Sequence, residues 1–468
     1  MVFSSNAFIF FFLPLTIWGY FFLGEKFRNS FLLLMSTIFF AWSQPHYLWI
    51  IILNIIINYS CALFLGERVK WQRKLTLVIA VILNIGILIY FKYFNFIVDS
   101  INDFLKADIA IKQIVLPVGI SFFTFQGLSY VIDVYQREVS IQKNPFKVAL
   151  YILFFPQLIA GPIVRYGDIE AEIDRRKISL EDFSDGLQRF IIGLGKKAIL
   201  ANSLATLTDS IWNRGVEENT VAIAWLGCIA YSLQIYFDFA GYSDMAIGLG
   251  RIFGFHFNEN FNHPYISKSI TEFWRRWHIS LSTWFREYVY IPLGGNRKHV
   301  YINLIVVFLL TGIWHGAAWN FILWGIWHGF FIIAERIVKN CGIKIPEWAG
   351  NSLGRVYTLG IVAIGWVLFR AANIGEGIDY LKTMFGIGLG EKPGFDVLWY
   401  LDRWNVMILG ISIALSSGIP QKLAAKAGEK CKAEKWLTIQ RVAALTLLYF
   451  SMIRIMAGTY NPFIYFQF

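Results

Sequence analysis

A histidine inside a charge-free stretch is the first candidate for chemistry. His315 lies in a run from Val300 to Ala334 that contains no Asp, Glu, Lys or Arg. An ionisable side chain is expensive at membrane depth, so it marks a candidate functional site there. A neutral imidazole can take a proton near neutral pH, which suits a general base that activates a hydroxyl. The alternative is a buried histidine that hydrogen-bonds a helix carbonyl.

His278 is the second candidate, and it lies in the amphipathic segment Ile270–Tyr288. Aromatic and apolar residues recur in this segment at helical spacing, and Arg275, Arg276 and Arg286 occupy the other side. Such a helix is expected to lie in the plane of the membrane interface, with His278 at the edge of its apolar face. The arginines could meet a phosphate-bearing substrate. The alternative is a surface helix that only anchors the protein.

The charge-free run is too long to cross a membrane once. Its 35 residues would form a helix of about 52 Å, whereas the apolar core of a bilayer is about 30 Å thick. We therefore predict a turn near Gly316–Asn320, with His315 beside it. Irregular backbone at membrane depth is tolerated where it lines a cavity. The aromatic residues expected to wall that cavity are Trp314, Trp319, Trp324 and Trp327.

Two small-residue motifs flank the predicted turn. They run from Gly312 to Gly316 and from Gly325 to Gly329, and they allow two helices to pack closely. His328 would face away from His315 on a straight helix, so it is interpreted as a packing residue.

Two aspartates, Asp238 and Asp244, directly follow an apolar run. They either end a helix or hydrogen-bond Arg275, Arg276 or a histidine, and the sequence leaves both open.

The composition indicates the class of protein that holds these candidate residues. The 468 residues are 56% hydrophobic, 18% aromatic and only 16% charged, and the mean hydropathy is +0.52. This excludes an ordinary soluble protein and is typical of a polytopic membrane protein. The net charge of +11 lies in short loops between apolar runs, so it does not indicate nucleic-acid binding. Four scattered cysteines predict neither a disulfide framework nor a zinc site.

Apolar runs of about bilayer length predict about eleven transmembrane helices. The loops at 24–29, 66–74 and 137–147 carry nine Lys and Arg, against two in the alternate loops, which predicts an N-terminus outside. Phe8–Leu23 is interpreted as the first transmembrane helix, and Arg165–Arg189 as a loop with an amphipathic piece. The predicted spans are 6–24, 29–43, 47–65, 75–97, 115–134, 147–163, 187–208, 220–238, 300–315, 319–338, 353–370, 403–419 and 437–457.

Motifs around both histidines resemble those of the membrane-bound O-acyltransferase superfamily, and more narrowly its alginate O-acetylation branch. The motifs are Trp314-His315-Gly316, Trp274-Arg-Arg-Trp-His278 and Tyr290-Ile-Pro-Leu-Gly-Gly-Asn-Arg297. Further matching segments make the resemblance cover essentially the whole chain. They are Met1-Val-Phe-Ser-Ser5, Phe155-Pro-Gln-Leu-Ile-Ala-Gly-Pro-Ile163, Gln234-Ile-Tyr-Phe-Asp-Phe-Ala-Gly-Tyr-Ser-Asp-Met245, Gly365-Trp-Val-Leu-Phe-Arg370 and Pro462-Phe-Ile-Tyr-Phe-Gln-Phe468.

The resemblance implies an all-α integral membrane protein. Its single domain, 1–468, would hold transmembrane, re-entrant and amphipathic helices around a central cavity. His315 would be the catalytic residue and His278 a second functional position. The residues expected to contact substrate are Trp314, Trp274, Arg275, Arg276, Asn320 and Asp238. No bound cofactor or metal is expected, and acetyl-CoA or another acyl thioester would be the acyl donor.

The implied activity is acyl transfer across the inner (plasma) membrane. The acyl group would pass outward to an extracytoplasmic partner O-acetyltransferase, and through it to a polysaccharide. Membrane lipid is an expected partner and nucleic acid is not. Two alternatives remain: D-alanyl transfer to teichoic acid, and a transporter of a lipid-linked precursor with His315 as a proton relay. The absence of visible internal repeats counts against the transporter.

Overall fold

A computed structural model describes residues 1–66, 68–215, 218–342, 347–388, 396–458 and 464. The elements in these ranges are helical, so the all-α prediction is confirmed. The α-helices are α1 (Leu13–Phe22), α2 (Glu25–Ser43), α3 (Leu48–Phe64), α4 (Lys70–Leu88), α5 (Phe94–Leu105), α6 (Ile120–Gln136), α7 (Pro145–Leu153), α8 (Phe155–Leu158), α9 (Tyr166–Asp174), α10 (Leu180–Gly195), α11 (Asn202–Trp212), α12 (Val221–Ile252), α13 (Ile270–Arg276), α14 (Ile279–Phe285), α15 (Val300–His315), α16 (Trp319–Asn340), α17 (Glu347–Arg370), α18 (Ile374–Met384), α19 (Arg403–Ser416), α20 (Ile419–Lys430) and α21 (Ala433–Ala457).

Seven helices in the described ranges are long and apolar enough to cross a membrane, or eight if the bent pair α19 and α20 forms one span. Two further helices, Phe8–Phe22 and Val300–His315, are apolar but shorter. The polytopic architecture is therefore confirmed, whereas the count of eleven stays a prediction. The seven are Pro45–Phe64, Lys70–Leu105, Leu180–Trp212, Val221–Ile252, Trp319–Asn340, Gly350–Arg370 and Ala433–Ala457.

The chain divides into two compact units. The first contains Met1–Phe190 and Tyr242–Glu259, and the second contains Ile191–Gly241 and Asn260–Phe468. Both candidate histidines belong to the second unit. The single domain expected over 1–468 stays a prediction.

Two expectations about the first unit are wrong. The span predicted at 147–163 is broken, because α7 ends at Leu153 and α8 makes a single turn that begins beside Pro156. Proline has no N–H to continue the helix ladder. The segment Arg165–Arg189, predicted as a loop with an amphipathic piece, is largely helical, since it holds α9 and most of α10. Ser179 explains the start of α10: its hydroxyl accepts a hydrogen bond from the Asp182 N–H at 2.9 Å.

In the second unit, α15 and α16 form a hairpin that brings their backbones together at two glycines. A Cβ on Gly312 would lie 2.4 Å from the carbonyl oxygen of Phe321 and 3.2 Å from Cα of Gly325. A Cβ on Gly325 would lie 2.4 Å from the carbonyl oxygen of Phe308. The close packing predicted from the small-residue motifs is therefore confirmed at this crossing.

Candidate active site

His315 is the last residue of α15, and the turn predicted after it is confirmed. Gly316 is extended and Ala318 precedes the first residue of α16. A side chain at Gly316 would overlap the ring of Phe321, so that ring would have to shift to admit any residue larger than glycine. His315 is only 2% exposed. Three aromatic rings meet its imidazole edge to face: Trp324 at 4.9 Å, Trp314 at 5.0 Å and Phe369 at 5.2 Å between centroids.

His278 lies at a sharp bend, not on a continuous helix as the sequence predicted. Helix α13 ends at Arg276, and His278 has φ +44° before α14 begins at Ile279. Few residues other than glycine adopt this left-handed conformation, so tertiary contacts must impose it. The bend, Arg276–Ile279, is called the elbow below. Its backbone bonds the preceding loop: the Asn262 N–H donates to the carbonyl oxygen of Arg276 at 2.9 Å, and the Ile279 N–H donates to that of Asn260 at 3.0 Å.

The side chain of Asn260 fixes the ring of His278. Its Oδ1 lies 3.1 Å from Nδ1 of His278 and accepts hydrogen bonds from the N–H and the hydroxyl of Ser280 at 3.2 and 2.9 Å. An atom that receives a backbone N–H is an acceptor, so Nδ1 of His278 must carry the proton. Nε2 then holds the basic lone pair. Complete burial lowers the pKa of His278 to about 3, which keeps the ring neutral at physiological pH.

The tertiary structure brings the two histidines together. Their ring centroids are 6.5 Å apart, and the ring of Trp314 lies 5.8 Å from His278. The ring of Phe239 packs on His278 at 4.6 Å. Two buried imidazoles in an aromatic enclosure can bind and deprotonate a hydroxyl, because the surrounding rings limit the access of water.

His328 is buried in the same unit as a packing residue, as the sequence predicted. Its ring lies 5.0 Å from that of Trp324 and 5.3 Å from that of Trp274, and a Cβ on Gly365 would meet its Nε2 at 2.8 Å. Trp324 therefore contacts both His315 and His328.

A large basic cavity opens beside α13, with a volume of about 1210 Å³. A smaller, mainly apolar cavity of about 220 Å³ shares five lining residues with it, including Thr271 and Arg275, and extends to Trp274 and Thr311. Thr311 lies one helical turn before His315. We call the two cavities together the basic cleft; the charged residues that line it are Lys268, Arg275, Arg286, Glu335, Arg336 and Lys339.

The chain is similar to enzymes that acylate hydroxyl groups. Residues 135–369, which include both histidines, match the model of the membrane-bound O-acyltransferase family. Over the full length of both chains it is 38% identical to the probable alginate O-acetylase AlgI of Pseudomonas aeruginosa. The chain belongs to the membrane-bound O-acyltransferase family. It is thus an acyltransferase and a multi-pass membrane protein.

The names of two further relatives mention different polymers. The peptidoglycan O-acetyltransferase of Helicobacter pylori is 36% identical over 83% of this chain and 80% of its own length. The teichoic acid D-alanyltransferase of Bacillus subtilis is 34% identical over 43% of this chain and 54% of its own length.

The residues expected to contact the acyltransferase substrates have diverse surroundings. Arg275 and Trp274 line the basic cleft, and Trp314 packs against both histidines. Arg276 instead pairs with Glu272 at 2.9 Å. Asn320 uses its amide to tie the start of α16 to the end of α17, where it donates to the carbonyl oxygens of Leu368 and Ala371 at 3.3 and 2.7 Å.

The two aspartates form ion pairs with basic residues other than Arg275 and Arg276. Asp238 forms a buried ion pair with Lys197 at 2.6 Å, and its Oδ2 accepts a hydrogen bond from the Ile464 N–H at 2.9 Å. Asp244, in the first unit, pairs with Arg189 at 2.6 Å. Pairing explains how both carboxylates are tolerated within α12, because an unpaired buried charge would be strongly destabilising.

Sequence reasoning missed two residues of the site, Asn260 and Glu335. Asn260 lies 18 residues before His278 in a loop without periodicity, and only the tertiary fold brings it to the imidazole. Glu335 follows the charge-free run directly. That position, the first charge after a 35-residue apolar stretch, was the signal that could have identified it.

Proposed function

We propose that the protein transfers an acetyl group from a cytoplasmic thioester toward an extracytoplasmic polysaccharide. The observation that carries the proposal is the pair of buried imidazoles, with centroids 6.5 Å apart, one of which lies one helical turn after Thr311 of the basic cleft. His315 is proposed as the catalytic residue and His278 as the second functional residue.

The basic cleft is the proposed binding site of the acyl donor. Lys268, Arg275, Arg336 and Lys339 line its wide part, and such cations bind phosphate groups. The smaller, mainly apolar part, lined by Trp274 and residues of α14 and α15, suits an uncharged thioester arm. Acetyl-CoA or another phosphate-bearing acyl thioester therefore fits this cleft. Arg276 would support the mouth through its pair with Glu272.

The proposed reaction transfers the acetyl group directly from the sulfur of the thioester to the oxygen of the acceptor hydroxyl. His315 accepts the proton of an acceptor hydroxyl while that oxygen attacks the thioester carbonyl carbon. The C–S bond breaks, sulfur leaves with the electron pair, and the imidazole returns the proton to it. Trp314 and Trp274 exclude water, which limits hydrolysis of the thioester. Nε2 of His278, a hydrogen-bond acceptor, would hold the acceptor substrate through a second N–H or O–H group, because His315 takes the single proton of the reacting hydroxyl. Asn320 and Asp238 would act through the helices that they tie together.

The acceptor is proposed to lie outside the inner (plasma) membrane. A partner O-acetyltransferase would take the acetyl group there and pass it to the polymer. With the N-terminus outside, the basic cleft would face the cytoplasm, where acyl thioesters are made. The names of the relatives, which mention alginate and peptidoglycan, support a polysaccharide acceptor.

D-alanyl transfer to teichoic acid is the second candidate. The D-alanyltransferase match covers 43% of this chain, whereas the alginate O-acetylase match covers all of it, which favours acetyl transfer. The transporter hypothesis loses its support, because the family is one of acyltransferases.

Replacement of His315 tests the proposal. With His315→Ala in place of the chromosomal gene, polymer-bound acetate should fall about 10²–10⁴-fold at normal abundance of the protein, because the general base is lost. His256→Ala, which changes an exposed histidine of the first unit, is the control and should keep acetylation. A wild-type amount of polymer-bound acetate in the His315→Ala strain would show that His315 is not the catalytic residue.

Cysteine labelling tests the side of the cleft. A cysteine at Arg276 or Thr283 should react with a membrane-impermeant reagent in inside-out vesicles only. Labelling in intact cells would reverse the proposed orientation.

A further inference from the structure

A carboxylate from α16 holds the start of α13. Glu335 Oε1 accepts a hydrogen bond from the N–H of Ile270 at 2.5 Å. Its Oε2 accepts the N–H and the hydroxyl of Thr271 at 3.0 and 2.6 Å. The first N–H groups of a helix lack partners within the helix, and the helix dipole favours a negative charge beside them. Glu335 therefore supplies hydrogen-bond acceptors and a negative charge at the start of α13.

This contact is additional to the local cap of α13. Ser269 already accepts the N–H of Glu272 at 3.0 Å, as an N-cap residue does. Glu335 comes from a helix 65 positions along the chain from Ile270, so its hydrogen bonds link α13 to α16. They also pair a negative charge of the basic cleft with N–H groups of α13.

Helix α13 carries groups that serve both parts of the site. Arg275 lines the basic cleft. The ring of Trp274 lies 5.6 Å from that of Trp324, which in turn lies 4.9 Å from the imidazole of His315. A shift of α13 relative to α16 would therefore move a cation of the cleft and the aromatic wall of the catalytic histidine together.

We propose that Glu335 is a positioning residue for acyl transfer. It contacts neither reacting group; it fixes α13 on α16 and thereby aligns Arg275 and Trp274 with His315. This inference rests on the proposed function, since the alignment serves a donor in the basic cleft. A displacement of about 1 Å far from the chemistry can lower a rate by about 10²-fold.

The test compares Glu335→Gln and Glu335→Ala with Glu376→Ala. Glu376 is a matched control, because it accepts the Ala372 N–H at 2.7 Å beside the start of α18, away from the cleft. The first measurement is hydrogen exchange in the full-length protein in lipid nanodiscs. Exchange at Ile270 and Thr271 should accelerate in both Glu335 variants and stay unchanged in Glu376→Ala.

The second measurement is polymer-bound acetate in cells at equal protein abundance. Glu335→Ala should lower it about tenfold or more, and Glu335→Gln less, since the amide keeps one acceptor oxygen. In inside-out vesicles with labelled acetyl-CoA, the half-saturating concentration should rise in the Glu335 variants. A residue that only adds stability would lower abundance and leave that concentration unchanged.

The outcomes separate this inference from the proposed function. The positioning role would be overturned if hydrogen exchange at Ile270 and Thr271 were unchanged. It would also be overturned if both Glu335 variants kept the wild-type amount of polymer-bound acetate and the wild-type half-saturating concentration of acetyl-CoA. His315→Ala is measured in the same cells. If it retains acetylation, the proposed function fails, and the exchange result alone then decides whether Glu335 fixes α13.

Discussion

The α15–α16 hairpin and the elbow each contribute one buried histidine, and they do so by opposite means. In the hairpin, His315 ends a regular helix, and neighbouring glycines let the two backbones meet. In the elbow, His278 takes a left-handed conformation between two seven-residue helices, held by a loop that contains Asn260. Local sequence suffices for the first arrangement, whereas the second depends on a distant partner.

The difference has consequences for the two imidazoles. Rings of aromatic residues surround His315 on several sides, three of them within 5.2 Å between centroids. His278 is instead oriented by a hydrogen bond to Asn260, which sets its tautomer. We therefore expect mutations of the hairpin to act through packing and mutations of the elbow to act through orientation of one ring.

The largest effect is expected from one methyl group at the hairpin crossing. In Gly312→Ala, the new Cβ would lie 2.4 Å from the carbonyl oxygen of Phe321, so the helix backbones must separate. Overpacking of this kind costs about 1–3 kcal/mol or more. The amount of folded protein and its thermal midpoint should both fall.

Gly360→Ala is the matched control for this prediction. No atom lies within 4 Å of the added Cβ, and alanine favours a helix interior. Equal thermal midpoints for Gly312→Ala and the wild type would show that the glycine crossing does not hold the hairpin together.

A smaller effect is expected from the partner of His278. Asn260→Ala removes the oxygen that accepts from Nδ1 of His278 and from Ser280, and a buried donor left unsatisfied costs about 1–3 kcal/mol. Acyl transfer should fall about tenfold or more while the protein still folds. Asn262→Ala is the control: its backbone bond to Arg276 remains, and its side chain is exposed. Equal activities of the two variants would argue against a role for ring orientation.

The smallest effect near physiological pH is a pH dependence of stability. The pKa of His278 is about 3 in the folded protein and 6.5 ordinarily, so between these values the unfolded chain binds a proton that the folded chain does not. Stability should therefore fall as the pH drops below 6.5, by at most about 1.4 kcal/mol per pH unit from this group. On acidification, the thermal midpoint of His278→Gln should fall less than that of the wild type. The midpoint of the control, His256→Gln, should fall as much as that of the wild type. Parallel losses in His278→Gln and the wild type would contradict the shift.

Much of the hairpin could be predicted from the sequence. As a single helix, the charge-free run would be longer than a bilayer is thick, so a turn was required. The glycine motifs marked where two helices could approach each other. The turn lies at Gly316–Ala318, within the predicted range. His328 is buried as the packing residue that the sequence predicted, although the turn places it on α16 and not on the straight helix with His315 that the prediction assumed. These features depend on length, spacing and side-chain size, which are properties of neighbouring residues.

The elbow could not be predicted in the same way. Helical spacing over Ile270–Tyr288 indicated one amphipathic helix, yet the backbone bonds to Asn260 and Asn262 break it at His278. Loop residues carry no periodic signal, and their partners lie far away in sequence. The sequence by itself determined the helical membrane architecture, the family motifs and the two histidines. Only the tertiary structure decided that His278 and His315 meet, that Asp238 pairs with Lys197 and that Glu335 holds α13, because each requires a contact between residues far apart in the chain.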